Sequence, residues 1–148
     1  MSPRAVLAIA IRNGERGPML ELTDVEAFTD AGLRGDNRSS LNRGISLLSA
    51  EQWQQVQREL AVTLPWHTRR ANLLISGGSL ADWRGRTIRI GRVEVAVRKE
   101  TAPCERMDEL CPGLRDALKS EVRGGVHGRI LRGGTIRLGD RVEILADD

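Results

Sequence analysis

Residues 84–95 read RGRTIRIGRVEV and residues 132–144 read RGGTIRLGDRVEI, so one pattern occurs twice, with Asp140 as an inserted residue. In each copy, alternating apolar and polar residues flank a glycine, which predicts strand, turn and strand. Similar hairpins are what a closed or nearly closed barrel uses to hide its strand edges. We therefore predict a mainly β protein, a β-barrel with a few short helices.

Other segments also have strand character. Residues 5–11 form an apolar run typical of a buried strand, and residues 93–98 alternate as a half-buried strand does. Residues 19–22 and 73–75 are shorter candidates, and the turn residues between 13 and 18 predict that a hairpin opens the fold. Ser49 and Gln52 form a capping-box pattern, which predicts a helix to about residue 60. A shorter helix should follow Pro112-Gly113.

Length and composition limit the class of protein. A chain of 148 residues, 40% hydrophobic and 29% charged, suits one compact domain over residues 1–148. Tyr is absent and Phe occurs once, so aliphatic residues must fill the core. The longest apolar run is too short to span a bilayer and lacks the features of a secretory signal. We expect a cytoplasmic protein with no membrane partner.

The charge of the chain comes from arginine. The net charge is +3 and the pI about 9.5, and Lys99 and Lys119 are the only lysines. Arginine favours forked contacts to phosphate and carboxylate groups. Because the basic residues are scattered among acids and few aromatic rings are present for base stacking, we expect no nucleic-acid partner. A small anionic ligand explains the charge better.

Two segments are candidates for anion binding. The loop of residues 32–44 places Asp36 among arginines and ends at Arg43-Gly44, which suits a phosphate, although an exposed polar loop would have the same composition. In the second segment, Arg70 and Asn72 lead into a strand, and alternation would point both to the same side. The alternative is a charged residue that merely flanks a strand end.

The two cysteines differ in their surroundings. In a reducing compartment both are expected to be free thiols, and a buried structural role is common for either. Pro103 fixes the backbone before Cys104, and Arg106 is close enough in sequence to favour the thiolate, the form that binds metal or attacks sulfur. Cys111 lies in a Leu-Cys-Pro-Gly turn without such a setting. Cys104 is therefore the candidate for chemistry.

Several common sites are not indicated. His67 and His127 are isolated in sequence, so the spacing of zinc ligands is absent. The sequence contains no Gly-x-Ser-x-Gly elbow, no P-loop and no dinucleotide fingerprint.

Seven segments, in order, resemble the molybdenum cofactor sulfurase C-terminal domain family, called MOSC, particularly its small stand-alone bacterial members. The resemblance covers nearly the whole chain. The matching segments are residues 5–11, 32–36, 45–51, 69–73, 103–107, 123–126 and 134–140. Where many members have a histidine or aromatic residue after Gly-Asp, this chain has Asn37-Arg38.

The resemblance implies a barrel-like fold in which a cysteine meets the molybdenum cofactor, molybdopterin. Cys104 occupies that position, as the catalytic residue and as a molybdenum ligand. The pterin phosphate would be the anion that the arginines receive. The expected cofactor-binding residues, Arg43 from its loop and the others by the resemblance, are Arg43, Ser49, Arg70, Asn72, Arg123, Gly124 and Gly125.

Three functions remain open on the sequence. In the first, Cys104 carries persulfide sulfur to the cofactor. In the second, it ligates molybdenum permanently in a reductase of N-hydroxylated compounds that works with a separate electron-transfer partner. The third is a non-catalytic module that binds a small anion. Because no pyridoxal-phosphate-dependent desulfurase domain is present in the sequence, a carrier would need a cysteine desulfurase or another sulfur donor as partner, and a molybdoenzyme as recipient.

Overall fold

The structure is a computed structural model that describes residues 4–14, 17–37 and 41–147. The strands are β1 (Val6–Arg12), β2 (Met19–Leu22), β3 (Asp24–Ala27), β4 (Ile45–Ser49), β5 (Leu73–Ile75), β6 (Arg86–Ile90), β7 (Val93–Glu100), β8 (Val126–Arg132), β9 (Gly134–Arg137) and β10 (Val142–Asp147). The helices are α1 (Ala50–Leu60), α2 (Arg106–Leu110) and α3 (Leu114–Lys119), with 3-10 turns at Trp66–Arg69, Ala81–Trp83 and Ser120–Val122.

Strands dominate the architecture, which confirms the mainly β prediction. Eight strands form one sheet in the order β10-β6-β7-β8-β4-β5-β1-β2, and β3 pairs with β9 in a separate ribbon. The predicted opening hairpin is confirmed, because β1 and β2 are antiparallel. The sheet is not closed by a continuous ladder. A short seam, with the antiparallel bridge Ala5–Arg141 and a hydrogen bond from Gly139 N to Val6 O (2.8 Å), joins β1 to the start of β10.

The repeated sequence pattern forms one hairpin, where two were predicted. The first copy is the antiparallel pair β6–β7, which turns at Gly91. The second prediction is wrong, because β9 pairs with β3 and β10 pairs with β6. The physical reason is the turn at the inserted Asp140, whose carboxylate accepts a hydrogen bond from Arg137 N (2.9 Å). This turn leads the chain from one sheet to the other and places the two copies side by side.

The helices cover one side of the sheet. Leu48 and Leu74 of β4 and β5 pack with Trp53 of α1 and Leu114 of α3 in an apolar cluster separate from the core inside the sheet. Both predicted helices are present, whereas the short α2 was not predicted. None of the helices in the described part of the chain is long and apolar enough to cross a membrane.

One end of the sheet gathers the segments that form the main pocket. β1 runs antiparallel to β5, and β7 runs antiparallel to β8. The last residues of β1 therefore lie beside the first residues of β5, and the last residues of β7 lie beside the first residues of β8. Thr101, just after β7, donates a hydrogen bond to Gly125 O, just before β8 (2.8 Å).

Candidate functional site

The main pocket lies at this end of the sheet. Its volume is about 490 Å³, within the range of small-molecule sites. The lining residues are Arg12, Asn37, Arg43, Ser46, Leu47, Arg69, Arg70, Ala71, Thr101, Gly124 and His127. Four are arginines and none is a carboxylate, so the pocket suits an anion.

Arg12 is held in the wall by Asp36. Its Nε and Nη2 donate to the two carboxylate oxygens at 3.1 and 2.7 Å, and its backbone N–H donates to Oδ1 at 2.8 Å. The Asp36 side chain is 0% exposed and that of Arg12 is 16% exposed. This buried, two-pronged ion pair fixes the position of the Arg12 guanidinium.

Asn72 lies behind the wall. Its Oδ1 accepts hydrogen bonds from Ser46 N (3.0 Å) and Ser46 Oγ (3.1 Å), and its Nδ2 donates to Ala10 O (3.1 Å). The residue is fully buried and Nδ2 also lies 3.4 Å from Asp36 Oδ2. Asn72 therefore connects β1 and β4 to the Arg12–Asp36 pair and is not among the lining residues.

Arg69 is a buried lining residue whose role the sequence did not single out. Its Nη2 donates to Thr101 O (2.7 Å) and Gly124 O (2.9 Å). Burial lowers the pKa of Arg69, and charge interactions with Cys104 and Glu100 oppose that effect. Arg69 thus braces the two segments on which Thr101 and Gly124 lie.

Arg70 also lines the pocket, with its guanidinium held by backbone carbonyls. Its Nη1 donates to Gly17 O (2.6 Å) and its Nη2 to Gly14 O (3.2 Å). Arg70 has a left-handed backbone (φ 59°), and β5 begins only at Leu73. Strand alternation therefore does not extend back to Arg70, which explains why Arg70 and Asn72 lie in different surroundings.

Cys104 is an exposed free thiol in the segment between Thr101 and α2, whereas Cys111 is free and buried among the helices. Arg106, which the sequence suggested as the neighbouring cation, is the first residue of α2.

The remaining predicted residues divide into two groups. Arg43 and Gly124 line the pocket, and a Cβ on Gly124 would lie 2.6 Å from Thr101 O. Ser49, Arg123 and Gly125 are not among the lining residues. Ser49 caps α1 by accepting from Gln52 N (3.1 Å), and Arg123 pairs with Glu59 (2.9 Å).

Gly125 has a positive φ of 95°, and a Cβ there would collide with Leu47 O. In the loop of residues 32–44, Asn37 and Arg43 line the pocket, whereas Arg38 lies outside the described residues.

His127 is a lining residue that the sequence gave no reason to place here. It is 5% exposed, and its Nδ1 lies 3.0 Å from Thr101 Oγ1. Burial lowers the pKa of His127, and the positive charges of Arg43 and Lys99 lower it further. His127 is therefore a neutral imidazole at neutral pH, a hydrogen-bonding group on an otherwise cationic wall.

A family model described as the MOSC domain matches residues 34–143. The chain belongs to the MOSC domain family. The resemblance inferred from the sequence is thereby confirmed, and the family is associated with the molybdenum cofactor. A search of curated proteins found no match.

Solved structures share the fold of this MOSC domain. The YuaD protein of Bacillus subtilis superposes with a TM-score of 0.79 at 17% identity, over 98% of this chain and 97% of that one. YiiM of Geobacillus stearothermophilus gives 0.78 at 15% identity, over 97% and 75%. YiiM of Escherichia coli gives 0.71 at 16% identity, over 99% and 70%.

The pocket of this MOSC domain has donors suited to a phosphate-bearing pterin, because several arginines converge on a cavity of ligand size. Within the described residues, no cluster of three or more His, Cys, Asp or Glu side chains is arranged to hold a metal ion. If the cofactor were bound, a cysteine thiolate would be a soft donor of the kind that suits a transition metal. Cys104 is an exposed thiol; it is not among the lining residues and lies three residues after Thr101, which is one of them.

Proposed function

We propose that this MOSC domain binds the molybdenum cofactor in its arginine-lined pocket and that Cys104 carries sulfur for it. The observation that supports the proposal is the exposed Cys104 thiol three residues beyond Thr101, a lining residue whose backbone carbonyl accepts a hydrogen bond from Arg69 of the same pocket. Arg12, Arg43 and Arg70 would hold the pterin phosphate, and His127 would offer a neutral hydrogen bond to an uncharged part of the ligand. When bound, the cofactor supplies a molybdenum centre that accepts sulfur.

The exposure of Cys104 supports a carrier more than a permanent metal ligand. A carrier has to be loaded by a sulfur donor, and an exposed thiol is one that a donor can reach. The Cys104 thiolate attacks the outer sulfur of a persulfide on a cysteine desulfurase, the donor S–S bond breaks, and the donor cysteine leaves as a thiolate. The new S–S bond on Cys104 holds the same sulfur at the same oxidation level, so no further oxidant is needed.

Cofactor retention by Arg43→Ala tests the binding half of the proposal. We expect protein purified gently from cells that make the cofactor to contain molybdenum and pterin, by elemental analysis and by fluorescence of the oxidised pterin. Arg43 is exposed at the pocket, so Arg43→Ala should lower retention about tenfold through loss of a charge-assisted hydrogen bond while the fold is kept. Arg58→Ala, on α1 and outside the pocket, is the matched control.

Persulfide formation tests the sulfur-carrying half. After incubation with a cysteine desulfurase and cysteine, mass spectrometry should find one added sulfur on Cys104 in the wild type and none in Cys104→Ser, with Cys111→Ser behaving as the wild type. Retention without any persulfide, together with reduction of an N-hydroxylated substrate by an artificial electron donor, would establish the reductase instead. If the protein neither retains the cofactor nor forms a persulfide, the remaining function is that of a module that binds a small anion.

A further inference from the structure

A second basic surface lies at the opposite end of the sheet from the main pocket. Two adjoining depressions of about 380 and 710 Å³ share Gly91, Arg92 and Arg132. We call them together the arginine groove, after the arginines that line it: Arg89, Arg92, Arg132, Arg137 and Arg141. The groove lies before β7 begins and the main pocket lies where β7 ends, so the eight residues of β7 separate them by about 25 Å.

The positive charge of the groove is only partly compensated. Glu143 pairs with Arg89 at 3.0 Å and more loosely with Arg141 at 3.9 Å. Arg132 is 3.7 Å from Glu94, and Asp140 accepts from the backbone of Arg137. Within residues 4–14, 17–37 and 41–147, the exposed guanidinium groups of Arg92 and Arg137 have no carboxylate partner. Arg92 lies on the turn between β6 and β7, and Arg137 is the last residue of β9.

The groove fits an acidic polypeptide segment better than a nucleic acid. None of its lining residues is aromatic, so it offers no surface for base stacking. Glu143 and Asp140 also lie in the lining and would repel a continuous phosphate backbone. Carboxylates spaced along a peptide can pair with separate arginines in the forked geometry that guanidinium favours. We infer that the arginine groove docks an acidic segment of a partner protein, away from the main pocket.

Fluorescence anisotropy with a fluorescein-labelled oligoglutamate peptide tests this inference. The double variant R92E/R137E should weaken peptide binding by at least about tenfold, because two attractive charges become repulsive. The control R58E/R84E has the same net charge but changes exposed arginines outside the groove, and it should change binding by less than about twofold. Circular dichroism checks that both double variants fold. If R92E/R137E does not fold, R92A/R137A is measured in its place.

Three results would overturn the inference: no peptide binding by the wild type, equal weakening in the two double variants, or stronger binding of an oligothymidylate of matched charge. The inference does not depend on the function of the main pocket. Cofactor retention and persulfide formation in R92E/R137E should equal those of the wild type.

Discussion

At the scale of single residues, three of the four arginines that line the main pocket have guanidinium groups fixed by hydrogen bonds within the protein. Arg12 is fixed by the Asp36 carboxylate, and Arg69 and Arg70 are fixed by backbone carbonyls. A guanidinium held in this way loses little side-chain entropy when an anion arrives, since its rotamer is already set. Arg43 differs because it is exposed and belongs to the loop of residues 32–44.

The mutation Asp36→Asn tests the anchoring of Arg12. It leaves a guanidinium in the wall without its charged partner, so we expect a loss of about 2 kcal/mol in the free energy of unfolding. Urea denaturation followed by circular dichroism measures that loss. Asp30→Asn is the control, because the Asp30–Arg129 pair is much more exposed, and it should cost clearly less than Asp36→Asn. Equal losses in the two variants would contradict the anchoring.

At the scale of elements, α1 depends on the Ser49 hydroxyl. Its oxygen accepts the N–H of Gln52, which would otherwise be unpaired at the helix start. The Gln52 side chain does not return to Ser49 to complete a capping box. It donates instead to Ser79 Oγ (3.1 Å) and to Glu121 O (2.7 Å), and so ties the helix to two turns.

We therefore expect Ser49→Ala to lower the free energy of unfolding by about 1 kcal/mol. Chemical denaturation measures this value, with Ser120→Ala, which changes an exposed side chain, as the control. Cofactor retention in the same variant decides whether Ser49 also contacts the ligand. If Ser49 acts only as a cap, retention stays at the wild-type level, whereas a loss of retention with unchanged stability would show a binding role.

The sequence predicted the strands better than their partners. The alternation in residues 93–98 follows from burial of one face, which is local information, and the corresponding strand β7 is present. Pairing is not local. Asp140 at the turn sends β10 to β6, so the second copy of the pattern leaves the hairpin that its residues favour.

At the scale of the whole molecule, the main pocket is assembled from residues distant in sequence. The motif around Arg70 and the cysteine segment could be found because each is local. Arg12, Arg69 and His127 could not be assigned, because their roles depend on which strand ends meet. Even Asn72, which looked like a ligand, is fully occupied by contacts within the protein.

The stability of the folded molecule should depend on His127 in mildly acidic solution. Its pKa is lowered by burial and by Arg43 and Lys99, whereas in the unfolded chain it returns to about 6.5. At a pH between the folded-state pKa and the unfolded-state pKa of His127, the unfolded state binds more protons than the folded state. The stability contributed by neutral His127 is therefore complete above about pH 6.5 and falls as the pH is lowered below that value.

We expect the free energy of unfolding of His127→Gln to fall less steeply than that of the wild type below about pH 6.5. Urea denaturation across this range measures both slopes, and His67→Gln serves as the control on the other histidine. If the free energy of unfolding falls with pH equally in the wild type and in His127→Gln, His127 is not the source of the pH dependence.

The anchors on either side of Cys104 limit how far its sulfur can travel. Thr101 is tied to Arg69, Gly125 and His127, and Met107 is buried among the helices. The intervening residues form a tether whose midpoint cannot extend more than about 10 Å from these anchors. The segment is thus too short to carry the Cys104 sulfur between two distant sites. Under the proposed carrier function, a donor and a recipient would each have to bring their reactive atom to Cys104, one after the other.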